Sequence, residues 1–311
     1  MSVKLNVLLV CYNASEYIEE CVNSILMQKT DFPFNVIAAD DCSTDDTLDK
    51  IKRLSENSHI EFIFLQSEKN LGLRLNYKRG FSACDAEYIA VMEGDDFWND
   101  PNRLQKHIDF LDNHYECAMS SNSRFHFDYE KAEFTRLYAP PPSENTSDYF
   151  LATAQDIVRH EYSSNFSTCV YRHKNILKLP SDWFDHPDLT FNEVATNAMV
   201  CLHGFLGFLW EPMTVRTIHT SALFGSKSYE EKLEIFAKQV SYSTDLLTNK
   251  RFEKEIDKRR NWALGELKKS KGESDSQQTL EALYQSLINS RSWKITKPLR
   301  CAAGFLRKNK I

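Results

Sequence analysis

Glu93, Asp95 and Asp96 place three carboxylates within four residues, directly after the apolar run Glu87 to Met92. Such crowding is electrostatically costly unless a cation neutralises it. An all-oxygen ligand set suits a hard divalent ion, Mg2+ or Mn2+, which would bridge the chain to a diphosphate. The alternative is a loop of solvated acids ahead of Pro101. A second acidic cluster, Asp40-Asp41-Cys42-Ser43-Thr44-Asp45-Asp46-Thr47, follows the run Phe34 to Ala39. Ser43, Asp45 and Asp46 suit the cap of a helix beginning near Thr47. Asp40 and Asp41 exceed what a cap requires, and one of them could accept a hydrogen bond from a nucleobase N–H or a ribose hydroxyl. Cys11-Tyr12-Asn13 and Lys69-Asn70-Leu71-Gly72 are two further polar clusters behind apolar runs. No GxGxxG follows the first run and no GxxxxGK[ST] occurs, so neither a dinucleotide fingerprint nor a P-loop is available to hold phosphate.

These clusters need a scaffold that brings strand ends together. The first 125 residues alternate short apolar runs with segments of helical period, the pattern of a parallel sheet covered by helices. Strands are predicted at Leu5 to Val10, Phe34 to Ala39, Ile60 to Leu65 and Glu87 to Met92. Helices fall between them: one entered through a capping box at Asn13 and Glu16 and running to Gln28, then Thr47 to Leu54 and Leu71 to Cys84. Pro101 opens a fourth helix through Leu111. In a doubly wound sheet, ligands bind outside the carboxyl ends of the strands, where all four clusters fall. Beyond Cys117 the alternation stops. Ala139 to Ser147 is turn-rich, Asn165 to Arg172 reads as a strand, Phe191 to His203 as a helix, and Phe205 to His219 as strand segments broken at Glu211-Pro212. Ser226 to Ser290 has helical spacing.

Composition bounds the class. The 311 residues are 42% apolar and 26% charged, enough for a globular chain with a sizeable core. The net charge of −6 argues against a nucleic-acid coat. Ser292 to Ile311 nevertheless carries six basic residues and no acid, leaving −12 on everything before it. The eight cysteines form no CxxC and read as buried thiols of a reducing compartment. Neither a leader-like N-terminus nor a membrane-length apolar run is present, so the expected location is cytoplasmic.

Taken in order, Val-Cys-Tyr-Asn, Asp-Asp-Cys-Ser-Thr-Asp-Asp-Thr, Asn-Leu-Gly and Glu-Gly-Asp-Asp-Phe-Trp-Asn-Asp-Pro-Asn-Arg-Leu resemble the family-2 glycosyltransferases of GT-A fold. They are most similar to a bacterial surface-polysaccharide subgroup with Glu-Gly-Asp-Asp-aromatic-Trp. The resemblance covers residues 1 to 113 and continues more loosely to about Phe224. It implies an α/β GT-A domain over residues 1–225, with a nucleotide-sugar half (1–125) and an acceptor half (126–225), followed by a helical extension over 226–311. Tyr12 and Asp41 fall where the family holds base and ribose, and Asp40 and Asn70 join them as nucleotide-sugar residues. Asp95 and Asp96 fall on the Asp-x-Asp-like motif, Asp96 as metal ligand and Asp95 near ribose and donor sugar. Glu193 matches the catalytic-base position, with Asp188 competing because the family's usual residue there is Asp. Arg216 and His219 would approach the diphosphate or the metal. Read without the family, Glu193 is equally a helix-start acid favoured by the macrodipole, and His219 a structural histidine.

The implied activity is metal-dependent, inverting transfer of a sugar from a nucleotide-diphosphate donor, UDP first, to a glycan or lipid-diphosphate acceptor in surface-polysaccharide synthesis such as O-antigen or capsule. A nucleotidyltransferase and a non-catalytic sugar-nucleotide-binding scaffold are the alternatives. At the C-terminus, Ser290 to Arg300 resembles a segment at the ends of such bacterial transferases. Leu299, Ala302, Ala303 and Leu306 follow i, i+3, i+4, i+7 beside Arg300 and Arg307, a pattern suited to peripheral contact with an anionic membrane. A basic helix packing on the acidic body, or making a homo-oligomer contact, is the competing reading.

Overall fold

The computed structural model describes residues 3–139, 148–158, 164–180, 183–185 and 193–220, with Ser228, Glu230, Glu231, Trp262, Gly265 and Glu266 as isolated positions. Asp188, most of the turn-rich stretch at 139–147, almost all of the helical extension and the whole basic tail lie outside the described residues. The chain divides into two compact units. The first is Met1–Arg124 with Ser147–Arg216, and the second is Phe125–Thr146 with Thr217–Ile311.

The strands of the first half are β1 (Leu5–Cys11), β2 (Phe34–Asp40), β3 (Phe62–Leu65) and β4 (Tyr88–Glu93). Between them run α1 (Ile18–Leu26), α2 (Thr47–Ser55) and α3 (Leu73–Ala83). β1 lies between β2 and β4 and pairs parallel with both, and β2 pairs parallel with β3. Every residue of β1 and β2 is buried, as expected of parallel strands covered on both faces. From α1, Ile18, Cys21, Val22 and Ile25 pack into the core formed by Leu5, Val7 and Leu9. Each such aliphatic side chain stabilises by about 1.5–3 kcal/mol relative to exposure.

The predicted capping box does not form. α1 begins at Ile18, with Tyr17 as the preceding residue and no side-chain cap. Asn13 sits instead at φ 47°, a left-handed conformation that asparagine tolerates. Its Oδ1 accepts from the Thr44 N–H at 2.8 Å, so it ties two loops together. The seven described cysteines are all free, and six of them are buried.

After β4 come β5 (Phe97–Trp98), α4 (Arg103–Asn113), β6 (Cys117–Asp128), β7 (Glu133–Tyr138), β8 (Tyr149–Ala152) and α5 (Ala154–Val158). A 3-10 turn at Phe166–Thr168 leads into β9 (Val170–Arg172) and α6 (His173–Ile176). α7 (Glu193–Val200) and a 3-10 turn at Cys201–His203 precede β10 (Phe205–Ile218). The sheet order is β3-β2-β1-β4-β9-β6-β10-β5, with β7 beside β6 and β8 beside β10.

Beyond Cys117 the strand–helix alternation stops as expected, and ahead of two stretches where expectations are corrected the chain forms a long strand, β6. Its run Ser120–Ser121–Asn122–Ser123 is buried and polar, and it stays in the sheet because partners meet it. His107 bridges Ser120 and Asn122 at 2.8 and 3.0 Å, and Ser121 meets Thr168 at 2.7 Å. The predicted strand from Asn165 begins only at Val170, with the 3-10 turn ahead of it. β10 runs unbroken through Pro212, because the strand changes partner there. Leu206 to Leu209 pairs with β8, Thr214 and Val215 pair with β5, and Pro212 between them offers only its carbonyl, to Asn99 Nδ2 at 3.0 Å.

In the second unit, Phe127 and Phe125 pack against Phe134, with ring centroids 5.2 and 5.6 Å apart, and the Thr220 N–H donates to Glu130 at 2.7 Å. His219 lies in this unit, just past β10, and is buried.

Candidate active site

The parallel register fixes which clusters meet. Cys11 pairs with Asp40 and Val10 with Glu93, so the ends of β1, β2 and β4 align within one residue. Tyr12, 47% exposed, leaves β1 on this edge.

Asp40 and Asp41 are both buried, and their carboxylates have internal work. Asp40 Oδ2 accepts from the Ser43 N–H at 3.0 Å and Oδ1 from its hydroxyl at 2.5 Å, which closes the turn after β2. The two oxygens of Asp41 accept from the Leu71 and Gly72 N–H groups, each at 2.8 Å. Asn70 Oδ1 shares the Gly72 N–H at 2.9 Å. Gly72 holds φ 82°, a backbone state that glycine permits at the entrance to α3. Asp41 and Asn70 are thus brought together. The predicted capping of α2 falls to Asp45, which accepts from the Thr47 N–H at 3.0 Å. An ionised carboxylate has about four acceptor positions, so these contacts leave capacity at both acids.

The acidic loop after β4 turns tightly: the Gly94 N–H donates to Val10 O at 2.9 Å and the Asp96 N–H to Glu93 O at 3.0 Å. A Cβ on Gly94 would stand 2.8 Å from Cys11 Cβ and 3.2 Å from Ile18 Cδ1, so only glycine lets this loop lie against β1 and α1. Tyr77 donates to Glu93 Oε1 at 3.1 Å. Burial and the charges of Asp96, Asp95 and Glu193 push the Glu93 carboxyl well above the usual carboxylate range, against the pull of Arg216. Burial alone would disfavour the Arg216 cation. The carboxylates Asp96, Glu193, Glu93 and Asp95 outweigh it and hold the guanidinium more firmly protonated than usual. Arg216 near the end of β10, Glu193 at the start of α7 and the acidic loop therefore share one electrostatic field.

Among the described residues, no three His, Cys, Asp or Glu side chains converge as a ready-made metal cage. The three-carboxylate site expected of Glu93, Asp95 and Asp96 is not such a cage, and Glu93 turns to Tyr77. The residues still fit an ion held by one or two carboxylates and completed by diphosphate oxygens, the usual manner of Mg2+. Asp96, buried with an excess of negative charge around it, is the residue that would hold it.

Two residues of this region carried no signal in the sequence. Asn165 Nδ2 donates to Asp96 Oδ2 at 2.9 Å, and Ser167 Oγ accepts from the Glu93 N–H at 3.1 Å. Both sit on the turn before β9, in a stretch that reads as an ordinary strand. No motif spacing links them to the acids they touch.

The acids and the arginine thus gather at one edge of an α/β sheet. The sequence profile of glycosyl transferase family 2 matches residues 6–178, and the chain belongs to that family. Over 115 residues it is 37% identical to the uncharacterized Mycobacterium tuberculosis protein Rv1520, covering 37% of this chain and 33% of that one. Staphylococcus aureus TarS, a poly(ribitol-phosphate) beta-N-acetylglucosaminyltransferase, is 28% identical over 120 residues, 38% of this chain and 20% of its own. The matches thus span a third or less of these relatives' lengths. In structure, TarS 1-349 in complex with UDP-GlcNAc superposes with a TM-score of 0.59 at 19% identity, over 84% of this chain and 72% of TarS 1-349. The Pyrobaculum calidifontis mannosyltransferase PcManGT, in complex with GDP-Man and Mn2+, gives 0.57 at 12% identity, over 99% of this chain and 87% of its own. The fold is the expected GT-A fold.

Proposed function

We propose that the chain is a metal-dependent inverting glycosyltransferase that moves a sugar from a UDP-linked donor to a glycan or lipid-diphosphate acceptor of a bacterial surface polysaccharide. The observation that carries this reading is the placement of Arg216 and Glu193 in the field of Glu93, Asp95 and Asp96 at the carboxyl edge of the sheet. The UDP-GlcNAc bound by TarS and the GDP-Man with Mn2+ bound by PcManGT support a nucleotide-sugar donor and a divalent ion.

Tyr12, Asp40, Asp41 and Asn70 line the nucleoside end, Asp95 the ribose and donor sugar, and Asp96 would hold Mn2+ or Mg2+. A bound divalent ion supplies charge neutralisation at the diphosphate. Glu193 takes the proton of the acceptor hydroxyl as that oxygen attacks the anomeric carbon. The bond from the anomeric carbon to the diphosphate oxygen breaks with its electron pair on the diphosphate, and Arg216 meets that charge. Attack from the opposite face without a protein nucleophile inverts the anomeric centre.

The test is Mn2+-dependent hydrolysis of a UDP-sugar panel by wild type and Asp96→Ala. Turnover that disappears in the variant supports the transferase; tight UDP binding with no turnover, even with acceptors present, favours a binding scaffold. No helix among the described residues is long and apolar enough to cross a membrane. We assign membrane contact to the basic residues 292–311, at about 1 kcal/mol per cation near an anionic surface. Unchanged sedimentation with anionic liposomes after deletion of those residues would refute it.

A further inference from the structure

The turn that precedes β9 grips the acidic loop and the elements β5 and α4 that follow it. The Glu93 N–H donates to Ser167 Oγ at 3.1 Å. Trp98 Nε1 and Arg103 Nη2 both donate to Ser167 O, at 2.9 and 3.2 Å. The Asn165 carbonyl is itself taken by the Thr168 N–H at 3.0 Å and its hydroxyl at 2.7 Å, which locks the turn. Each of these contacts has a backbone atom at one end or both. Asn165 Nδ2 differs, because it reaches the Asp96 carboxylate itself, at 2.9 Å.

Asn165 is 3% exposed, and its Oδ1 is buried without a hydrogen-bond partner. The amide cannot be reversed to relieve this, since the oxygen would then face a carboxylate oxygen. A buried acceptor left unpaired costs about 1–3 kcal/mol, a cost a fold rarely carries without a return. With its donor end on Asp96, this amide lies where a divalent ion and its diphosphate would sit. A free acceptor there calls for an O–H group.

We propose that Asn165 is the positioning residue of the metal site. Its donor end fixes the carboxylate rotamer of Asp96, and its acceptor end receives an O–H from the bound donor complex, either a water on the ion or a hydroxyl of the sugar. This rests on the transferase reading but concerns a residue that reading does not use. Groups that orient a ligating carboxylate typically account for 10–100-fold in metal affinity.

The test is Mn2+ affinity by titration calorimetry and Mn2+ electron paramagnetic resonance, with UDP and separately with a UDP-sugar, for wild type, Asn165→Ala and Asn165→Leu. Leucine keeps the volume and removes both polar ends, and thermal melts of both variants identify any loss of fold. The expected result is a 10–100-fold weaker Mn2+ affinity in folded variants. Equal losses with UDP and UDP-sugar identify water as the O–H source; a larger loss with UDP-sugar identifies the sugar. Wild-type affinity in either folded variant overturns the proposal. Failure of the wild type to bind Mn2+ with UDP at all would instead sink the transferase reading.

Discussion

The guanidinium carbon of Arg103 lies 4.4 Å from the centroid of the Trp98 ring, and both side chains are buried. Among the described residues, no carboxylate forms an ion pair with Arg103. Arg103 Nε donates to Asn122 Oδ1 at 3.1 Å and Nη2 to Ser167 O, while Nη1 is buried without a partner. Burial pulls the guanidinium pKa down to about 9, against the charges of Cys169 and Asp100. Each acceptor it serves has a second donor: His107 for Asn122, and Trp98 Nε1 for Ser167. Arg103→Met should therefore stay within about 1.5 kcal/mol of wild type, since it fills the volume and removes the desolvation cost. Arg103→Ala should lose about 3 kcal/mol or more through the cavity. Urea denaturation of the two variants decides; equal losses would show that the charge itself is required.

His107 gives a pH signature. It is wholly buried, and burial, with Arg103 and Lys106 adding to it, lowers its pKa well below the usual value, while its bond to Asn122 resists. The folded state thus binds fewer protons than the unfolded state, and stability falls as pH drops below the unfolded value of ~6.5. Glu93 acts in the opposite sense. Its raised folded pKa adds stability as pH falls towards the unfolded carboxylate value, so the two partly cancel in wild type. The informative quantity is a difference. Below pH ~6.5, wild type should lose about 1.4 kcal/mol per pH unit relative to His107→Gln, down to the folded-state pKa. Parallel stability curves for the two proteins from pH 7 to 5 would contradict this.

The first 113 residues were legible because each β1–β4 strand is a nearly continuous apolar run between turn signals, and the carboxyl-edge rule then gathered Asp40, Asp41, Asp95 and Asp96 without further information. The later half was not. Ser120 to Ser123 gives no strand signal because its strand state depends on His107, Thr168 and Thr214, partners no local pattern can supply. Pro212 suggested a break because the change of strand partner that tolerates it is a tertiary fact. Asn165 and Ser167 were silent for the same reason: their role is contact with residues about 70 positions away. Arg216 and Glu193 were reached only through the family resemblance, and periodicity alone left Glu193 as a helix-start acid.

Glu193 shares the electrostatic field of Arg216, and its charge raises both Glu93 and Tyr77. If it removes the acceptor proton, Glu193→Gln keeps the shape and removes the base, at a typical cost of 10²–10⁴-fold in turnover. Donor affinity should hold, because the amide still fills the site. Transfer rates and UDP-sugar binding measured together test this. Equal rates in wild type and variant would move the base to Asp188.

Gly94 links the packing of β1 to the chemistry of the loop. The nearest atoms to an added Cβ are Cys11 Cβ at 2.8 Å and Ala14 Cβ at 3.4 Å, with Ile18 Cδ1 between them at 3.2 Å. Neither of the two Cβ atoms can rotate away, so Gly94→Ala must move the loop backbone, and Asp95 and Asp96 follow it directly. Overpacking of this kind costs about 1–3 kcal/mol. The loss of donor turnover should be larger, about 10²-fold, because a displacement on the order of 1 Å at a positioned group is enough. Cys11→Gly removes the opposing Cβ. A double-mutant cycle of Gly94→Ala with Cys11→Gly should return a favourable coupling of at least 0.5 kcal/mol in stability and recover part of the turnover. Simple additivity would mean that the loop absorbs the methyl group elsewhere, and that the acid positions do not depend on this contact.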